Sequence, residues 1–271
     1  MAFWTEAREG AVAIARFANE PRNTLTLAGV EELSEIVGRW ERDETLRVAI
    51  LTGASERFFV AHYDVGQLAE GSDRLRAPDA PGPSEELHLF NRVMLRLEAL
   101  DKIVVAALNG QAMGGGFELA LACDFRLARD GDWRYGLPET GVGIIPGAGG
   151  TQRMTRLVGV ARALDLILHG RPLSPDGALA LGLVSRVFPP ETFWSSVMGF
   201  AANLAARAPI ALREAKACVR AAAELPFTEG LRLEQAAFRR CMESEDANGA
   251  MRAYLDGKTF ASPFGYPFKG R

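Results

Sequence analysis

The sequence predicts an α/β fold whose first half alternates strands with helices and whose second half is almost wholly helical. Three observations carry that reading. Short β-rich runs alternate with helix-length amphipathic segments, the junctions between them are rich in glycine and asparagine, and beyond residue 151 the apolar pattern settles into the helical period. With 271 residues, 48% of them hydrophobic, the chain can bury a sizeable core.

Taken in order, residues 11–17 and 48–52 are short apolar runs, read as strands, with an amphipathic helix over 27–42 between them. A third strand over 103–108 stops at Asn109-Gly110. Between 66 and 86 the composition shifts to Gly, Ser, Asp and Pro, which predicts a mobile surface loop, either a lid or binding loop or a tolerated insertion. Helices are then predicted over 151–157, 161–168, 174–181, 190–206, 210–223, 229–242 and 246–255, with one strand over 183–187. The helices from about residue 190 carry apolar faces beyond what a core filled by the first half can absorb, so a subunit interface is their expected outlet.

Composition narrows the function classes. The 31 basic and 34 acidic residues give a net charge of −3 with no dense basic run, which argues against nucleic acid as partner. Cys123, Cys218 and Cys241 are odd in number and sit in apolar contexts, the pattern of reduced thiols rather than of a disulfide or metal framework. The N-terminus shows no targeting pattern and no apolar stretch reaches bilayer length, so a soluble cytoplasmic protein is expected, without a membrane partner.

Chemistry is concentrated at two glutamates. Glu118 lies in an apolar run opened by Gly114, Gly115 and Gly116, and Glu139 follows Pro138 between glycine turns. Burying an unpaired carboxylate costs several kcal/mol, so a chain that does it generally uses the group. The three glycines let the backbone approach a ligand with its N–H groups exposed at the positive end of a helix, a place for an oxyanion. Plain packing is the alternative for the glycines. For Glu118 it is a dipole-favouring charge or an ion pair with Arg126 or Arg134, and for Glu139 a cap on the helix near Thr151. Of the histidines, His88 and His169 read as surface or packing residues, and His62, beside the expected site, as a polar pocket wall, with a catalytic role as its alternative. Asp64 reads as a helix cap, Asp124 as a turn-fixing residue or partner of Arg126, and the 147–150 loop as tight packing at a helix start.

The stretch from Ile103 to Asp124, with Pro138-Glu139 and with Ile145-Pro146-Gly147-Ala148-Gly149-Gly150-Thr151-Gln152-Arg153, closely resembles the enoyl-CoA hydratase/isomerase (crotonase) superfamily. The resemblance runs from about Ala11 to Lys258. It implies a crotonase-like spiral of β-β-α units over residues 1–190 and a C-terminal helical trimerisation region over 191–271, assembled as a homotrimer or a dimer of trimers. It implies a lyase of fatty acid metabolism that hydrates a trans-2-enoyl-CoA to a 3-hydroxyacyl-CoA, with coenzyme A as part of the substrate and no separate cofactor or metal. Glu118 and Glu139 match the catalytic pair, and the backbone N–H groups of Tyr63 and Gly115 match the oxyanion hole. Ala61, His62, Asp64, Gly114, Pro138, Gly147 and Lys258 fall at substrate-binding positions, Lys258 opposite the nucleotide phosphates, although an ordinary solvated lysine remains its alternative. The family has Gly-Ala-Asp where His62-Tyr63-Asp64 stand, which leaves acyl preference open. Double-bond isomerases, thioester or ring hydrolases and non-catalytic acyl-CoA-binding relatives are the alternatives that the resemblance leaves.

Overall fold

The computed structural model describes residues 2–258 and 266–271. The chain opens with an antiparallel hairpin, β1 (Trp4–Glu9) and β2 (Val12–Phe17). Of β1 only Trp4 is buried, because this edge strand presents its charged residues to solvent and so carries no apolar alternation for a sequence reading to find. Helix α1 (Leu27–Arg42) follows, its start fixed by Thr26, whose side chain accepts from Gly29 N–H. Val30, Leu33, Val37 and Trp40 form the buried stripe that its period predicts.

Three successive β-β-α units follow. Strand β3 (Val48–Gly53) leads to β4 (Phe58–Val60), α2 (Val65–Arg76) and α3 (Leu89–Ala99). Strand β5 (Ile103–Leu108) leads to β6 (Gln111–Met113) and α4 (Gly115–Ala122). Strand β7 (Phe125–Arg129) leads to β8 (Tyr135–Gly136), a 3₁₀ turn (Glu139–Val142) and α5 (Gly150–Val158). The first strand of each unit joins a six-stranded sheet and the second a three-stranded sheet, β4-β6-β8. Helices α6 (Val160–Leu168) and α7 (Pro175–Ala180) lead to β9 (Arg186–Phe188), which completes the large sheet in the order β1-β2-β3-β5-β7-β9. All its pairings except β1–β2 are parallel. Helices α8 (Phe193–Ala205), α9 (Pro209–Ala221), α10 (Phe227–Met242) and α11 (Glu245–Leu255) end the described succession.

The large sheet is covered on both faces, which is why β3 and β5 read as unbroken apolar runs. Ala49, Leu51, Val104 and Ala106 turn to the main core with α1, α3 and α4, while Val48, Ile50, Ile103 and Val105 turn to the opposite face against Phe193, Val197 and Ala201 of α8. The sheet thus absorbs the apolar face of α8, while Val160 and Leu168 of α6, Val219 of α9, and Phe227, Phe238, Tyr254 and Leu255 of α10 and α11 stay exposed.

The predicted 66–86 loop is helical over its first half. Asp64 caps α2 by accepting from Gln67 N–H, and α2 buries no residue; its Gly66, Gly71, Ser72 and Asp73 are poor helix formers, which is why its composition reads as a loop. Only the stretch before His88 is irregular, and the His88 ring there accepts from Phe90 N–H to start α3.

Candidate active site

The site is built where β6 turns into α4. Gly114 takes φ +50, a conformation open to glycine, and its N–H donates to Gly136 O at 2.9 Å. Gly116 has no room for a side chain, since a methyl group there would stand 2.0 Å from Val60 O. A methyl on Gly115 would stand 3.0 Å from Tyr63 Cβ and 3.4 Å from Tyr63 N, so the start of α4 lies directly on the Tyr63 backbone.

The backbone around Tyr63 is oriented by a parallel bridge to Leu25. Leu25 N–H donates to His62 O and Asp64 N–H donates to Leu25 O, both at 2.8 Å. In such a bridge the central residue's own N–H points the other way. Gly115, first residue of α4, likewise has no carbonyl one turn earlier in its helix to receive its N–H. Two helix N-termini, those of α2 and α4, flank this point with their positive dipole ends.

Glu118 stands one turn into α4 and is 3% exposed. Its Oε1 accepts from Ala148 N–H and Gly150 N–H, each at 2.8 Å, so the carboxylate also occupies the N-terminus of α5. Burial pushes its pKa up, while the two amides and the charge of Arg153 pull it back. It pairs with neither Arg126 nor Arg134. Arg126 instead donates to Leu183 O and Cys123 O, both at 2.7 Å, at the C-terminal end of α4, and Arg134 pairs with Asp132. Asp124 is engaged not by Arg126 but by Arg220 at 2.7 Å and Lys216 at 2.8 Å, while also accepting from Val104 N–H.

Glu139 opens the 3₁₀ turn, which Thr140 tethers to α6 through Ile167 O at 3.1 Å. A methyl on Gly114 would stand 3.1 Å from Glu139 Oε1 and 3.8 Å from His62 Cβ, which brings Gly114, His62 and Glu139 together. Glu139 does not cap the helix near Thr151; Glu118 meets that helix end. The Oε2 of Glu139 is buried without a protein partner. Burial first, and the Glu118 charge with it, push the Glu139 carboxyl up to about 7 against the pull of its own backbone amide. The Glu118 charge is thus felt at Glu139, and the two carboxyls ionise as a coupled pair.

The other sequence-selected residues divide. Ala61 is buried with its amide and carbonyl bonded to Asn23 O and Met113 N–H. His62 is half-buried, and its Nδ1–H donates to Tyr63 O at 2.7 Å, since a carbonyl can only accept. The Tyr63 ring rests on Phe90 with centroids 6.1 Å apart, and burial raises its phenol pKa. Asp64 has its carboxylate committed to Gln67 N–H and Thr24 Oγ1. Pro138 immediately precedes Glu139, and Gly147 is exposed with its carbonyl accepting from Asn91. Lys258 is exposed just past α11, and among the described residues no hydrogen bond or ion pair ties its ammonium to the others. Among the described residues no group of three or more His, Cys, Asp or Glu side chains is arranged to hold a metal ion, and no helix is long and apolar enough to cross a membrane. The holders of Glu118, the Ala148 and Gly150 amides, escaped the sequence reading because a backbone N–H leaves no residue-type signal. The glycine-rich 147–150 loop was the one available clue.

The sequence signature of the enoyl-CoA hydratase/isomerase family matches residues 7–262. A short-chain-enoyl-CoA hydratase of Clostridium acetobutylicum is 36% identical over 251 residues, covering 92% of this chain and 93% of that protein. A crotonyl-CoA hydratase of Syntrophomonas wolfei is 34% identical, covering 89% and 90%. The crystal structure of an enoyl-CoA hydratase subunit from Geobacillus kaustophilus superposes with a TM-score of 0.87 at 35% identity, covering 99% of this chain and 98% of that one. The chain belongs to the enoyl-CoA hydratase/isomerase family, and its fold is the crotonase fold.

Proposed function

We propose that this member of the enoyl-CoA hydratase/isomerase family reversibly adds water to a trans-2-enoyl-CoA, giving a 3-hydroxyacyl-CoA. The observation that carries the reading is the pair of inequivalent carboxylates, one held by two amides and one raised to about 7, beside the adjoining Tyr63 and Gly115 backbones. The names of the Clostridium and Syntrophomonas relatives support the same reaction.

The thioester oxygen sits between the N–H groups of Tyr63 and Gly115, which stabilise the enolate as it forms; losing one such donor costs about 3–4 kcal/mol. Glu118, anionic and fixed through Oε1, orients water and takes its proton as the oxygen bonds to the β-carbon. Glu139 enters protonated and passes its proton to the α-carbon as the enolate collapses. Net, OH is added to the β-carbon and H to the α-carbon, and solvent returns the proton on Glu118 to Glu139 before the next turnover. The 3′-phosphate and pyrophosphate of coenzyme A are met by Lys258. A double-bond isomerase needs one carboxylate to shuttle one proton, and the second glutamate here favours hydration.

The exposed apolar residues of α10 and α11, with Phe227 and Tyr254 each 81% exposed, support self-association as a homotrimer or a dimer of trimers. The test of function is the loss of conjugated enoyl-thioester absorbance over a panel of 2-enoyl-CoAs of increasing length. Glu118→Gln keeps an acceptor for Ala148 and Gly150 but cannot take a proton, and it is expected to slow the reaction about 10²- to 10⁴-fold. Absence of decay with every substrate, or a variant as fast as the parent, refutes the proposal.

A further inference from the structure

We infer that Arg153 is a positioning residue for Glu118, and that Arg220 on α9 locks Arg153 and both supports of Glu118 into one ionic network. The inference rests on the proposed role of Glu118 as the water-activating base.

The connection can be followed atom by atom. Ala148 uses its N–H on Glu118 Oε1 and its carbonyl on Arg153 Nη1, at 2.8 and 2.9 Å. The remaining edge of the Arg153 guanidinium is bidentate on Glu98 of α3, at 2.9 and 2.7 Å. The loop wraps closely around that guanidinium, for a methyl on Gly149, which takes φ +88, would stand 2.1 Å from Nη1. Glu98 is held from its other side by Arg220 at 3.1 Å. Arg220 also donates to Asp124 at 2.7 Å and to the carbonyl of Ala122, the last residue of α4, at 3.2 Å. Lys216 adds a second α9 cation on Asp124. Arg220 therefore fixes the helix that carries Glu118, and Arg153 fixes the loop whose amides receive it.

The geometry also gives Arg153 an electrostatic part. It brings a cation behind a carboxylate whose burial opposes ionisation, and that charge works to keep Glu118 anionic. Among the elements packed on α4, α5 carries Arg153 and Arg156, α3 carries Arg92, Arg96 and Glu98, and β4 and β6 contain no titratable residue. Arg156 turns to Gln152, Arg92 to the Leu87 carbonyl and Arg96 to Glu41, while Glu98 is already paired twice. The 3₁₀ turn adds Glu139, whose carboxyl feels the Glu118 charge. Arg153 is thus the cation available to favour the base form.

The test compares Arg153→Met, Arg153→Lys and Arg220→Met in the full-length protein. The first readout is the titration of the Glu118 side-chain carbon by NMR with glutamate labelling, the resonance being assigned by its loss in Glu118→Gln. The second is kcat and KM for hydration. Arg153→Met is expected to move the Glu118 midpoint to higher pH and to lower kcat about 10- to 100-fold, with KM within about 3-fold. Arg153→Lys restores the charge but not the fork, so the midpoint returns toward the parent while kcat stays depressed. Arg220→Met lowers kcat with little movement of the midpoint. A Glu118 midpoint and kcat equal to the parent in Arg153→Met overturn the inference. If that variant does not fold, parental kcat and KM in Arg153→Lys overturn it. A parent without hydratase activity refutes the proposed reaction, and the NMR titration then still decides whether Arg153 governs Glu118.

Discussion

Replacing Glu139 by glutamine should make the protein less able to catalyse and more stable at high pH, because the fold holds this carboxyl against its tendency to ionise. Its pKa rises from the ordinary 4.5 to about 7, chiefly by burial. For a fully enclosed group that rise corresponds to about 3.4 kcal/mol, at about 1.36 kcal/mol for each pH unit. Glu139 is only half-buried, although one oxygen is sealed in, so solvent screening reduces the expected effect to about 1.5–2 kcal/mol. The sign follows from proton counting. Between pH 4.5 and about 7 the unfolded chain releases this proton while the folded chain keeps it, so stability falls with rising pH across that window and then levels off. Urea unfolding of the parent and of Glu139→Gln, at equal protein concentration from about pH 4.5 to about pH 8.5, isolates the group because the other titrations are common to both. The difference in stability should grow in the variant's favour by about 1.5–2 kcal/mol, while hydration slows at least about 10²-fold. Parallel stability curves would refute the raised carboxyl, whatever the activity showed.

Three further expectations concern other parts of the molecule. Gly116→Ala places a methyl 2.0 Å from a backbone carbonyl that cannot rotate away, so a loss of about 3 kcal/mol or more and a Tm lowered by roughly 6–12 °C are expected; a change under about 2 °C contradicts the packing described. The Cys123 thiol is buried and pushed up to about 12, so a thiol reagent should leave a slow native fraction that Cys123→Ser abolishes without altering the faster reaction of Cys218 and Cys241. Tyr63→Ala keeps the backbone donor but removes the ring resting on Phe90, so kcat/KM for long or branched enoyl-CoAs should rise about 10-fold relative to crotonyl-CoA, and an unchanged ratio would exclude Tyr63 as a determinant of acyl size.

Some of this protein was legible because local chemistry leaves residue-type marks. Strands β3 and β5 announce burial on both faces by unbroken apolar runs, α1 announces its buried stripe by its period, and Glu118 stands out as a charge inside an apolar helix. Resemblance to the crotonase superfamily extended that reading from elements to the fold. Helix α2 was missed because its glycines, serine and aspartate give it the composition of a loop, and β1 because an edge strand keeps its charges. Of the two readings of Asp124, pairing with Arg126 fails for another reason: Arg126 is two residues away in the chain, whereas Arg220 arrives from 96 residues away on α9. By itself, then, the sequence determined the inventory: two carboxylates, the glycines that let backbones meet, and the alternation that makes the sheets. Tertiary structure alone decided what those groups are worth. The Ala148 and Gly150 amides come to Glu118 from 30 and 32 residues away, and the walls that raise Glu139 to about 7 come from several segments, because desolvation and hydrogen bonding depend on where distant chain is packed rather than on which residues lie next in line.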